Sequence, residues 1–200
     1  MSGNNSKNPV LLIHGIFDTT KVFNKMAAYL SNLGWQVHSI NLMPNNGSAK
    51  LSTLAAQVAT YIDNNFDRGQ TIDLIGFSMG GLVTRYYLQR MKGIDRVQRY
   101  INISAPNRGT IVANALPLDG IVDMRPNSKF LRDLNSDVKD FLTRISCTFI
   151  WTPFDLMILP ADSTKLNLGR EIKIPIWRHN LMLTDDRVLV TVTKALAQPI

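Results

Sequence analysis

Short apolar runs alternate along this chain with segments whose apolar residues recur every three or four positions. That alternation constrains the fold more than any other feature. Pro9 to Ile13, Trp35 to Leu42, Ile72 to Ile75, Tyr100 to Ile103, Thr148 to Trp151 and Ile172 to Trp177 each have the length and content of a strand. Between them, Val22, Met26, Tyr29, Leu30 and Leu33 share one helical face, which Gly34 closes. Leu51, Leu54, Ala55, Val58, Ile62 and Phe66 share another. A last helix is expected from about Asp185 to Ala197, with Asp185 and Asp186 complementing its N-terminal dipole. Strands separated by helices build βαβ units, so a parallel sheet with helices on both faces is expected. The 200 residues, 45% of them apolar, suit a single domain over 1–200.

Open sheets of this kind bind ligands beyond the carboxyl ends of their strands, so reactive residues should stand just after apolar runs. Ser78 does: "TIDLIGFSMGGLVTRYYLQ" passes from a strand pattern to a helix pattern at Gly76-Phe77-Ser78-Met79-Gly80. Such a G-x-S-x-G corner turns so sharply that side chains at the glycine positions would collide. The serine is held strained, with its hydroxyl exposed, at the positive end of a helix. A plain packing corner is the competing explanation.

Asp155 follows "CTFIWTPF", and Asp162, seven residues later, competes with it. Asp155 is favoured because it lies nearer the strand end and precedes Leu156-Met157-Ile158-Leu159. Of the three histidines, only His179 is both late in the chain and just past a strand, and an imidazole suits proton transfer near neutral pH. His38 lies inside a strand pattern and reads as structural, as does His14. Gly15, after His14, would permit a tight turn that frees the next N–H. Ile16 and Met79 are therefore the candidate oxyanion donors, with Phe17 the alternative to Ile16. The order Ser78, Asp155, His179 is that of the α/β-hydrolase arrangement. Phe17, Met157 and Leu181, beside these positions, are candidates for lining an acyl-binding cleft.

Several function classes are disfavoured. Cys147 is the sole cysteine, which rules out an internal disulfide and a thiolate cluster; its run "CTFIW" marks it as a small buried hydrophobe. No apolar run approaches the roughly 18 residues of a membrane span. The opening "MSGNNSKNPVLLIHG" lacks a signal-peptide core and cleavage site, so a cytoplasmic setting is expected. The formal charge is +7, yet no zinc-finger spacing, RNP-like aromatic pattern or basic heptad accompanies it, and nucleic acid is not expected as a partner. Arg85, Arg90, Lys92, Arg96 and Arg99 run away from the catalytic end and are expected to form a solvated face. Arg108, Arg125, Lys129, Arg132 and Arg178 fall at that end and could attract an anionic membrane surface.

Together, "PVLLIHGIFDTTKVFNKMAAYLSNLGWQV", "IDLIGFSMGGLVTRYYL", "VQRYINISAPNRGT", "FIWTPFDLMILP" and "WRHNLMLTDDRVLVTVTKAL" resemble the small bacterial triacylglycerol lipases of lipase class 2 type, in the α/β-hydrolase superfamily. The resemblance runs from about Pro9 to Leu196. It implies a minimal fold of about six mostly parallel strands, no cofactor or metal, and hydrolysis of lipid or small carboxylic esters. It maps nucleophile, acid and base onto Ser78, Asp155 and His179, and the oxyanion donors onto Ile16 and Met79. A carboxylesterase or acyl-thioesterase is the alternative activity, and a non-catalytic binding protein the alternative class. The chain departs from the family in a helical insertion around 111–145, expected as two short helices, the second capped by Asn135 or Ser136.

Overall fold

The strands β1 (Val10–Ile13), β2 (Val37–Ile40), β3 (Ile72–Phe77), β4 (Val97–Ile103), β5 (Ser146–Trp151) and β6 (Arg170–Lys173) lie in the order β2-β1-β3-β4-β5-β6. Every neighbouring pair is parallel in this computed structural model, which describes residues 7–199. The helices are α1 (Asn24–Asn32), α2 (Leu51–Asn65), α3 (Met79–Arg90), α4 (Asp119–Asp123), α5 (Lys129–Ser136), α6 (Val138–Leu142) and α7 (Asp186–Leu196). Alternate strand residues feed two cores. Leu11, Ile13 and Leu74 pack with α2 and α3, whereas Val10, Leu12 and Ile75 pack with α1 and α7. Burial on both faces is why these strands read as unbroken apolar runs.

The parallel α/β architecture expected from the alternation is present, with differences in detail. The last strand is earlier and shorter than its apolar run. Ile174 N–H makes the final bond to β5, at Trp151 O (2.9 Å), and Pro175 has no N–H with which to continue. The insertion holds a 3-10 turn (Ile111–Ala115) and the three short helices α4, α5 and α6 rather than two helices. Thr110 Oγ1 caps the 3-10 turn, accepting from Val112 N–H (3.3 Å), and of the three helices α5 has a side-chain cap, Ser128, whose Oγ accepts from Leu131 N–H (3.1 Å). Asn135 and Ser136 are not caps but lie within the last turn of α5.

Of the basic run on and after α3, Lys92 is exposed as expected, but the arginines do not form a solvated face. Arg85 is completely buried, and its guanidinium donates to Asn135 Oδ1 (2.8 Å), Leu134 O (3.1 Å) and Asn107 Oδ1 (3.3 Å). Burial among neutral acceptors lowers its pKa to about 10. Arg90 pairs with Asp133 and Asp137 (both 2.9 Å), and Arg99 with the buried Asp73 (3.3 Å). Arg85 and Arg90 thus fasten the insertion to α3. Helical periodicity could not separate these arginines from exposed ones, because the partners named here lie 22 to 50 residues away. Cys147 is buried as expected, its thiol pushed up to about 12 by burial.

Candidate active site

Ser78 occupies the single position between β3 and α3 and has φ 53° and ψ −124°, a conformation that side chains rarely adopt. Its N–H donates to Ile103 O (2.9 Å) and its carbonyl accepts from Gly81 N–H (2.9 Å), so the strain is held by the sheet on one side and the helix on the other. The flanking glycines have a steric cause. A Cβ on Gly80 would strike the carbonyls of Ile13 and His14, and one on Gly76 would lie 2.7 Å from Gly81 Cα. Gly15 keeps a close approach too, since a Cβ there would sit 3.1 Å from Ser78 Cβ. The left-handed residue of that loop is Phe17, at φ 61°, so Gly15 serves proximity rather than the turn.

The loop after β5 and the loop after β6 meet beside the serine. Asp155 is buried; its Oδ1 accepts from Met157 N–H (3.0 Å) and Ile158 N–H (3.1 Å), and its Oδ2 accepts from His179 Nδ1–H (2.7 Å). Because an ionised carboxylate only accepts, the proton sits on Nδ1 and leaves Nε2 with its lone pair. Nε2 has no hydrogen-bond partner among the described residues, and the ring packs 4.8 Å from that of Phe77. Thr152 Oγ1 fastens this loop to the sheet, donating to Ile176 O (2.6 Å) and accepting from Ile176 N–H (2.9 Å). The competing Asp162 is exposed and pairs with Arg108 (3.2 Å).

The candidate backbone donors differ in their hydrogen bonding. Phe17 N–H is committed to Asn45 O (2.7 Å), which removes the alternative donor. Ile16 N–H and Met79 N–H have no acceptor among the described residues. His14 is structural. Its Nε2 accepts from Leu42 N–H (2.9 Å) and its Nδ1–H donates to Gly15 O (2.8 Å), so the buried neutral ring pins β1 to the end of β2, with its pKa lowered by burial. His38 is structural as well, with Nδ1 3.2 Å from Tyr61 Oη and its ring packed on Phe66.

Two clefts open on either side of Ser78, and both share Ile16, Phe17 and Met157. One, of about 140 Å³, runs back between Pro106, Val112, Ile121 and Met124 and is walled almost wholly by carbon. The other, of about 370 Å³, holds His179, Asp18, Trp177, Arg178 and Asn180. Phe17 and Met157 line both clefts, whereas Leu181, expected beside them, lies outside both linings. Asp18, Ile121 and Met124 were missed. Asp18 lies in a loop without pattern, and Ile121 and Met124 reach the cleft only through the folding of the insertion. Burial raises the pKa of Asp18, against the lowering influence of His14 and His179. Leu156 and Trp177, 75% and 73% exposed, ring the mouth, and Trp177 stacks on Phe154 at 4.1 Å. Of the basic residues assigned to this end, Arg108 is paired with Asp162, and Arg125 donates to Ala113 O (3.1 Å) and Leu116 O (3.1 Å).

The fold has known counterparts. The chain is similar in structure to a Bacillus licheniformis lipase in its mature form, with TM-score 0.78 at 14% identity over 96% of this chain and 93% of that one. It is similar to Aspergillus fumigatus lipase B, with TM-score 0.80 at 18% identity over 98% of this chain and 54% of that longer one. Tomato methylketone synthase I, in complex with 2-tridecanone, matches with TM-score 0.67 at 14% identity over 94% and 97% of the two chains. These likenesses establish the α/β-hydrolase fold. A family model for palmitoyl protein thioesterase matches residues 9–152, a span that includes the Ser78 corner and ends just before Asp155. Having this fold and this match over most of its length, the chain belongs to the palmitoyl protein thioesterase family.

Proposed function

We propose that the protein is a serine hydrolase of acyl esters and thioesters, in which Ser78 is the nucleophile, His179 the general base and Asp155 the acid that orients it. The observation that carries this reading is the Asp155–His179 bond of 2.7 Å, which leaves an unpartnered Nε2 beside the cleft that holds the strained Ser78. His179 Nε2 takes the Ser78 hydroxyl proton as Oγ attacks the acyl carbonyl. Asp155 holds the imidazolium without itself taking the proton. The Ile16 and Met79 N–H groups receive the oxyanion, each worth about 3 kcal/mol of barrier. The alcohol or thiol leaves with the proton from His179, and water hydrolyses the acyl-enzyme by the same steps.

The family match favours thioesters, and the lipase likenesses favour oxygen esters; one acyl-enzyme serves both. The exposed Leu156 and Trp177 around the mouth, with Arg178 beside them, support contact with an anionic lipid surface. A fluorophosphonate probe should label Ser78. Ser78→Ala should abolish labelling, and His179→Ala should lower kcat by on the order of 10⁴-fold. Full hydrolysis by Ser78→Ala would remove the assignment. Matched hexanoyl ester and hexanoyl thioester substrates decide which class is turned over faster.

A further inference from the structure

We propose that the cleft behind Ser78 selects short acyl chains, of about six carbons, and that Met124 and Ala113 set its depth. This rests on the hydrolase reading above, and names the acyl group that site takes. The two clefts beside Ser78 differ in chemistry. The larger sets Asp18, Arg178, His179 and Asn180 among apolar side chains such as Leu156 and Trp177, and an alkyl chain laid there would strip water from a carboxylate and a guanidinium. The smaller presents Ile16, Pro106, Val112, Ile121 and Met124 and suits hydrocarbon. The acyl chain therefore enters the smaller cleft, and the leaving group faces the charged one.

The apolar cleft is short. Its volume is about 140 Å³, and apolar cavities of about 150 Å³ accept a molecule the size of benzene. Of its lining residues Phe17, Ala115, Leu116 and Met157 are exposed, while Ala113, Ile121 and Met124 are buried and form its inner end. That end is pinned by backbone. Thr110 N–H donates to Met124 O (3.0 Å), and Gly120 N–H donates to Gly47 O (2.9 Å). Gly47 lets the wall close: a Cβ there would lie 2.7 Å from Ile121 Cγ1 and 2.8 Å from Ile16 Cδ1. The insertion is thus a fixed back wall, and a palmitoyl chain overruns it.

The test is kcat/KM for p-nitrophenyl esters from acetyl through butanoyl, hexanoyl, octanoyl and dodecanoyl to palmitoyl, each below its micellar concentration. Wild type should rise to hexanoyl and fall about tenfold or more by dodecanoyl. Met124→Ala should move the optimum to longer chains, and Ala113→Leu should lower the hexanoyl-to-acetyl ratio about tenfold. A wild-type optimum at dodecanoyl or palmitoyl overturns the proposal, whether or not either variant folds. So do unchanged profiles in both variants, once thermal unfolding shows them folded. Fluorophosphonate labelling of Ser78 run alongside separates the two failures. A labelled Ser78 with a palmitoyl optimum removes only the chain-length assignment. Hydrolysis that persists in Ser78→Ala removes the hydrolase reading beneath it.

Discussion

Single residues decide the local geometry of the site, and three of them make measurable predictions. Gly80→Ala would drive a methyl into the carbonyls of Ile13 and His14 on the neighbouring strand end, which cannot move without opening the sheet. A loss of about 1–3 kcal/mol in urea unfolding is expected, the usual cost of overpacking. Gly15→Ala places its methyl 3.1 Å from Ser78 Cβ and 3.0 Å from Asp18 Oδ2, so kcat should fall with a smaller loss of stability. His14 ties stability to pH. Burial holds its folded pKa below the ordinary 6.5, so the unfolded chain binds more protons in that range. The contribution is complete above pH 6.5 and is lost as pH falls through 6.5 toward the folded value. Urea midpoints at pH 7.5 and 5.5 should differ less in His14→Asn than in wild type, and an equal difference would contradict the assignment. The sequence pointed to Ser78 because its glycine spacing is a local signal. It left Asp155 and Asp162 in competition because only the partners, His179 for one and Arg108 for the other, separate them.

At the scale of elements, the site is an assembly of loop ends, and each loop has its own fastening. Thr152 joins the end of β5 to Ile176 by two hydrogen bonds and so sets where the following His179 stands. Thr152→Val keeps the shape but leaves a buried N–H and carbonyl unpaired, at about 1–3 kcal/mol. Its kcat should fall while fluorophosphonate still reacts slowly with Ser78. Arg85 does the same for the insertion: without it, Asn135 Oδ1 loses its donor inside the protein and Leu134 O keeps only Gln89 Nε2–H (2.7 Å). Arg85→Met should lower the thermal midpoint, and limited proteolysis should cut first within 111–142. Element types were legible from periodicity, since β1, α2 and α7 fall close to their expected spans. The insertion was not. Its helices are too short to show a period, and their ends depend on contacts with α3.

For the whole molecule, parallel order places the ends of β1, β3, β5 and β6 at one edge of the sheet, where residues 16, 78, 155 and 179 converge. The same end carries the exposed apolar side chains Phe17, Leu156 and Trp177. The proposed lipid contact predicts that Leu156→Ser with Trp177→Ser weakens sedimentation with phosphatidylglycerol vesicles several-fold. Hydrolysis of a dissolved hexanoyl ester should change much less. Among the described residues no helix is long and apolar enough to cross a membrane.

The order of residue types along the chain determined the parallel sheet, its two helical layers and the serine corner, because each rests on patterns spanning a few neighbouring residues. The tertiary structure alone decided which carboxylate meets His179, that Ile16 rather than Phe17 keeps a free N–H, and that Arg85 is interior. It also decided that residues of a distant insertion line the apolar cleft. Each depends on a partner tens of residues away, and no local periodicity records which groups the packed sheet brings within 3 Å of one another.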